Sequence, residues 1–414
     1  MTVREQATLA KSAASSLAVA GTKEKNDALA GIARALDENR AAVLEANAKD
    51  VALAKEQGMA KAMLDRLTLT DARIGAMISG VEEVIALEDP VGSFLDMNTR
   101  PGGLVIGRKR VPLGVIAIIY ESRPNVTVDA AVLCLKAGNA VVLRGGKEAI
   151  HTNRALAQVM KAALKESALS EDAVHLVQDT SRESATALMG LVGLIDVLIP
   201  RGGGGLIRSV VEHAKVPVIE TGEGNCHTYI DADADLEMGA RIIQNAKCSR
   251  PSVCNAAETL LVHKKIAAEF LPMAKALLAP HQVELRGDEE VRRILGDSVI
   301  PATEADYETE FLDYILAIRV VDSLEEAMAH IARYSTAHSE CIVTENYTAA
   351  TRFLNEVDAA AVYVNASTRF TDGGVFGLGA EIGISTQKMH ARGPMGLAAL
   401  TSSKFVIYGT GQIR

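Results

Sequence analysis

The run Val115-Ile116-Ala117-Ile118-Ile119-Tyr120 constrains the fold more than any other segment. It is wholly apolar, rich in β-branched residues and only strand-sized, so both of its faces must be covered. The pattern then repeats. Residues 140–143, 174–177, 196–199 and 216–219 read as strands, with helices beginning near Thr152, near Ser184 and after Gly205. Strand alternating with helix in this way predicts a parallel, doubly wound α/β sheet. A second, looser alternation runs over residues 235–385.

The flanks read differently. Residues 4–90 are dominated by Ala, Leu, Glu and Lys, and Leu29, Ile32, Leu36 and Val43 form one helical stripe. Asp89-Pro90-Val91-Gly92 punctuates its end. Around residues 105–114, Arg108, Lys109 and Arg110 mark a basic hairpin. Residues 404–408 predict a strand that pairs with this hairpin in the same or another subunit.

At 414 residues the chain is too long for one ordinary core, so two or more domains are expected. A net charge of −9 argues against nucleic-acid or anionic-membrane partners. No apolar run is long enough to span a bilayer, and the polar first residues predict no signal peptide. Five cysteines without a CxxC pair predict reduced thiols in a cytoplasmic protein. The nine histidines lack metal-ligand spacing, so no metal is expected.

Several clusters can carry chemistry. Arg144-Gly145-Gly146-Lys147 and Arg201-Gly202-Gly203-Gly204-Gly205 each follow a strand and open a helix. Amides at a helix start beside a cation suit a pyrophosphate, although tight turns need glycine without any ligand. Between Asn245 and Ala256, Cys248 and Cys254 stand near Lys247 and Arg250, and nearby cations favour thiolate. Spacing alone does not choose between the two thiols, and either can be a small buried hydrophobe. Tyr120-Glu121-Ser122-Arg123-Pro124-Asn125 lies at the carboxyl end of a buried strand, where open α/β sheets bind ligands. His338-Ser339-Glu340 is set aside as a hydrolase triad, because adjacent side chains rarely converge and no GxSxG elbow accompanies them.

Along essentially its whole length the chain resembles the γ-glutamyl phosphate reductases of the aldehyde dehydrogenase superfamily. The matching segments are VPLGVIAIIYESRPNVT from Val111, AGNAVVLRGGKEA from Ala137 and IDVLIPRGG from Ile195. They continue with GNCHTYID from Gly224, NAKCSRPSVCNAAETLLVH from Asn245, VDSLEEAMAHIARYSTAHSECI from Val321 and FGLGAEIGISTQKMHARGPMGLAALTS from Phe376.

The resemblance implies an aldehyde dehydrogenase-like α/β fold with a doubly wound cofactor domain, an α/β catalytic domain and a small oligomerisation element. The expected division is 1–234 for NADP binding, with the hairpin at about 98–114 serving oligomerisation. Residues 235–385 form the catalytic domain and 386–414 a returning oligomerisation segment. The implied reaction is NADPH-dependent reduction of L-glutamate 5-phosphate to the 5-semialdehyde in proline biosynthesis, in a homo-oligomer that receives substrate from glutamate 5-kinase.

The resemblance makes Cys254 the nucleophile and Asn125 the oxyanion donor. It places the nucleotide on Arg144, Gly145, Gly146, Lys147, Arg201, Gly202 and Gly203, and the nicotinamide ribose on Glu310. Arg123, Arg250 and Arg369 are candidates for gripping substrate. Lys147 stands where many NAD-using relatives carry Glu, which points to NADPH. Cys248 and Glu220 depart from the family pattern. Glu220 falls near the water-activating Glu of hydrolytic relatives, so a hydrolytic semialdehyde dehydrogenase stays open, as does a non-catalytic protein with the same fold.

Overall fold

The computed structural model describes residues 1–414, apart from the side chains of Lys61 and Ala62. The chain divides into two compact units. The first comprises residues 1–221, 377–383 and 395–414, and the second residues 222–376 and 384–394.

The first unit opens with the helices Val3–Leu17, Thr22–Glu38, Arg40–Glu56, Lys61–Leu67 and Asp71–Ala86. Thr2 and Glu5 form a reciprocal capping box at the start of the first. Its sheets contain β1 (Phe94–Thr99), β2 (Val105–Pro112), β3 (Val115–Tyr120), β4 (Ala140–Gly145), β5 (Val174–Leu176) and β6 (Val197–Arg201). The core sheet has the order β5-β4-β3-β6 and is parallel throughout. All six residues of β3 are buried, as expected for a strand with helices on both faces. Residues 216–219 do not form a full strand. They meet β6 only through Leu198, which bridges Val218.

β1, β2 and the tail strand Thr401–Tyr408 form a separate antiparallel sheet, with β2 central. The tail thus pairs with the hairpin of its own chain. Phe94, Leu95, Met97, Phe405, Ile407 and Tyr408 remain exposed on this sheet.

The second unit carries β7 (Cys226–Ile230), β8 (Ala257–His263), β9 (Glu284–Gly287), β10 (Ile300–Pro301), β11 (Ile315–Val321), β12 (Ser339–Val343) and β13 (Ala361–Val364). They form one parallel sheet, ordered β10-β9-β11-β8-β7-β12-β13. The boundary expected at 234/235 moves to 221/222, because β7 pairs with β8 and β12 of this sheet. The returning segment is likewise split: residues 384–394 belong to the second unit, and only 395–414, preceded by 377–383, return to the first.

Candidate active site

In the second unit the site is built on the loops that enter β7 and β8. These strands are parallel, and Cys226 stands opposite Ala257. Their register presses the loop before β7 against the loop holding Cys254. A Cβ on Gly224 would overlap the Cys254 carbonyl group, so only glycine permits this approach. The Cys226 thiol donates to the Cys254 carbonyl oxygen at 3.2 Å. Around Gly224 the backbone is pinned. Glu310 Oε1 accepts the Gly224 N–H at 2.8 Å, Thr336 Oγ1 donates to Glu223 O at 2.6 Å and the Asn225 N–H donates to Thr336 Oγ1 at 3.0 Å.

Cys254 is half-buried, whereas the other four cysteines are buried. Burial pushes the Cys248 thiol up to about 11, with Lys247 pulling it down, and pushes Cys341 up to about 12. Burial also raises Cys134 and Cys226. These four are protonated, inert thiols near neutral pH.

Two guanidinium groups belong to the surroundings of Cys254. Arg369 donates from Nε to Ser249 Oγ at 3.0 Å and from a terminal nitrogen to Asn255 Oδ1. Asn255 Nδ2 in turn donates to the carbonyls of Arg369 and Thr371, at 3.2 and 3.0 Å. Burial and then Arg250 push the Arg369 pKa down, while Cys254 and Asp372 pull it back up. Arg250 is exposed.

Behind these loops lies a fully buried ion pair, Lys247 Nζ to Glu258 Oε2 at 2.5 Å. Glu258 Oε1 accepts the Leu312 N–H at 3.2 Å, which ties β8 to the loop bearing Glu310. Leu312 has a φ of +55°, a left-handed conformation that needs such anchoring. Burial raises the Glu258 carboxyl to about 7, opposed by Lys247, and burial lowers Lys247.

The first unit presents its candidates at the carboxyl ends of β3, β4 and β6. Ser122 follows β3 with a φ of +38°, and its N–H and hydroxyl both donate to Glu148 Oε1, at 2.6 and 2.7 Å. This clamp fixes the turn that carries Arg123, which is half-buried, and Asn125, the first residue of the helix Asn125–Lys136. Asn125 Nδ2 donates to Asp129 Oδ2 at 2.7 Å.

Arg144 and Gly145 lie inside β4 rather than in the loop expected there. The Arg144 guanidinium is half-buried and donates to the carbonyls of Thr180 and Ser181, at 2.7 and 3.0 Å. Arg144 thus ties β4 to the 180–181 turn. Gly145 and Gly146 are both buried; a Cβ would collide with Asn153 on the first and Glu148 on the second. Lys147 is exposed in the short turn before the helix Ile150–Lys165.

After β6, a Cβ on Gly202 would meet Glu121, whereas Gly203 and Gly205 have open space where a Cβ would lie. Gly203 N–H donates to Glu121 Oε2 at 3.1 Å, at the start of the helix Gly204–His213. A carboxylate on a first-turn amide marks a position that accepts an anion. Arg201 ends β6 with its guanidinium against Gly383.

The expected residues thus fall into two sets: Cys254, Arg250, Arg369 and Glu310 in the second unit, and Asn125, Arg123, Arg144, Gly145, Gly146, Lys147, Arg201, Gly202 and Gly203 in the first. Gly224, Asn255, Glu258, Asp129 and Glu148 escaped the sequence reading. Each acts through a contact to another part of the chain or one helical turn away. Glycine inside the GNCHTYID segment was the only local signal.

A sequence model of the aldehyde dehydrogenase family matches residues 1–292. The γ-glutamyl phosphate reductase of Carboxydothermus hydrogenoformans is 62% identical over 405 residues, covering 98% of this chain and 97% of that protein. The crystal structure of the γ-glutamyl phosphate reductase of Thermotoga maritima covers all of both chains, with 52% identity and a TM-score of 0.97. An acetylating aldehyde dehydrogenase from Geobacillus thermoglucosidasius shares the fold, with a TM-score of 0.73 at 18% identity. The chain belongs to the aldehyde dehydrogenase family and, within it, to the γ-glutamyl phosphate reductases.

Proposed function

We propose that this chain reduces L-glutamate 5-phosphate to L-glutamate 5-semialdehyde with NADPH, releasing phosphate through a thioester on Cys254. The observation that carries the reading is the setting of Cys254. It is the half-exposed thiol among five, its carbonyl accepts from the Cys226 thiol, and it shares its surroundings with Arg369 and Arg250.

The attraction between Arg369 and Cys254 is mutual, so the guanidinium favours the thiolate needed for attack on the acyl carbon. The S–C bond forms, the C–O bond to phosphate breaks, and phosphate leaves with its electron pair. Phosphate is a good leaving group, so no strong general acid is required. The Asn125 amide and the Cys254 N–H hold the oxyanion, donors whose stabilisation grows as charge develops. The exposed Arg250, the half-buried Arg123 and Arg369, which is hydrogen-bonded to Ser249 and Asn255, are the cations for the anionic ends of the substrate.

The residues fit a nicotinamide dinucleotide phosphate. Open space above Gly203 and the amide that already holds a carboxylate suit the pyrophosphate, and the exposed Lys147 ammonium suits a 2′-phosphate. Glu310 holds the nicotinamide ribose. When bound, the nicotinamide supplies the two electrons and hydrogen that carry the thioester to the aldehyde level. The adduct on Cys254 then collapses, the C–S bond breaks and thiolate is restored. The exposed apolar side chains of the hairpin sheet support a homo-oligomer built there.

Semialdehyde, NADP and phosphate supplied together should yield NADPH, with arsenate replacing phosphate. Cys254→Ala should abolish this while sparing NADPH binding, and Cys248→Ser should keep most of the rate. The reverse result for the two cysteines would move the nucleophile to Cys248.

A further inference from the structure

We infer that Asp129 is a positioning residue for the reaction: its carboxylate fixes the orientation of the Asn125 amide. This rests on the reading of Asn125 as an oxyanion donor. An asparagine amide has two faces of opposite character. Its oxygen accepts and its nitrogen donates two hydrogen bonds, and a flip about the last torsion exchanges them. A flipped amide would aim its oxygen at the developing oxyanion and repel it. A neighbouring carboxylate removes the ambiguity, because an ionised carboxylate only accepts and so must be met by Nδ2.

Asp129 occupies that place. It lies four residues after Asn125 on one face of the helix Asn125–Lys136, and Asn125 Nδ2 donates to its Oδ2 at 2.7 Å. One N–H is spent on this bond, and the amide nitrogen retains a second to donate. The bond is charge-assisted, hence shorter and stronger than one to a neutral acceptor. The clamp between Ser122 and Glu148 holds the preceding turn, so the amide torsion is the freedom left for Asp129 to remove.

A carboxylate near an oxyanion donor carries an electrostatic cost. Arg201, at the end of β6, offsets it. Burial pushes the Asp129 carboxyl up to about 6, while the Asn125 bond and the Arg201 charge pull it down. The carboxylate is thus mostly ionised at neutral pH, partly neutralised by a guanidinium from a neighbouring strand.

The test is a double-mutant cycle on the full chain with semialdehyde, NADP and phosphate. Asn125→Ala is expected to lower kcat by about 10²–10³, the usual loss for an oxyanion donor. Asp129→Ala is expected to lower kcat roughly tenfold to a hundredfold, as losing one charge-assisted hydrogen bond implies. The KM values and the rate of Cys254 alkylation by iodoacetamide should stay within about twofold, and in the Asn125→Ala background the Asp129→Ala effect should fall below about threefold. Asp129→Asn keeps an accepting oxygen but adds a donor that can meet a flipped Asn125, so it should recover only part of kcat.

If Asp129→Ala does not fold, Asp129→Ser replaces it in the same cycle. An unchanged kcat in Asn125→Ala would remove the oxyanion reading itself. A normal Asn125→Ala loss, with Asp129 effects that persist undiminished in that background or that fall on KM, would overturn the positioning role alone.

Discussion

Both units are parallel sheets with helices packed against them, yet they offer their candidate residues at opposite ends of their strands. The first presents them where strands end: Asn125 after β3, Lys147 after β4, and Gly202 and Gly203 after β6. Helices begin there, and their unpaired amides give anions a ready site. The second presents Cys254 and Gly224 where strands begin. The cations assigned to Cys254 are Arg250 and Arg369, the latter hydrogen-bonded to Asn255 and Ser249, while Lys247 in the last turn of the helix Leu236–Cys248 is matched by Glu258. One end of such a sheet offers anions backbone amides, joined here by Lys147 and Arg123. The other must import charge, and part of that charge is buried. The first unit also has a buried pair, Lys25 with Asp89, but it joins the helix Thr22–Glu38 to the turn after the helix Asp71–Ala86.

The contrast breaks most directly at Glu258. Glu258→Gln leaves the Lys247 ammonium buried without its anion and should cost roughly 3–5 kcal/mol in urea unfolding. Combining Lys247→Met with Glu258→Leu should recover most of it. A loss below about 1 kcal/mol for the single variant would mean that the pair is not the support inferred here. Next in size is a matched pair of glycines. Gly224→Ala drives a methyl into the Cys254 carbonyl and should cut kcat by about 10² or more, since misplacement by about 1 Å suffices for that. Gly203→Ala meets no protein atom, so kcat should change less than about threefold, while the KM for NADPH rises because the methyl enters the space assigned to the pyrophosphate. Similar losses in both would erase the distinction between a backbone cradle and an open anion site.

The parts of the molecule that sequence reveals are those with a local cause. β3 is visible because six apolar residues in a row have no other stable place in a chain of this kind. The hairpin and its tail strand are visible as patterns too, though only the fold decides that they pair within one chain. What sequence hides depends on register. Arg144 turns toward Thr180 and Ser181 because β4 continues through Gly145, a matter of where a strand stops. The boundary at 221 follows from the pairing of β7 with β8, which no composition shift announces. The identity of the nucleophile came from resemblance, and the burial of Cys248 supplies the physical reason that spacing lacked.

A smaller effect sharpens the anion side of the comparison. Lys147→Glu replaces an exposed cation with an anion at the start of a helix and should raise the KM for NADPH about tenfold or more, with little change for NADH. Stability should move by less than about 0.5 kcal/mol, as for other surface positions. Equal shifts in both KM values would assign Lys147 to the helix start rather than to the 2′-phosphate.

The smallest effect is expected at Glu220, and it decides between phosphate and water as the acceptor of the acyl group. Glu220 is half-buried, near the end of the first unit. A hydrolytic enzyme needs a base to activate water against the thioester, and such a base contributes about 10²–10⁴ where it is used. A reductase of an acyl phosphate gains nothing from that base, because water would divert the thioester to glutamate before reduction. Glu220→Gln should therefore leave phosphate-dependent NADPH formation within roughly tenfold of wild type. Omitting phosphate should stop turnover in both proteins. Brisk oxidation of semialdehyde without phosphate, lost on Glu220→Gln, would instead make water the acceptor and Glu220 its base.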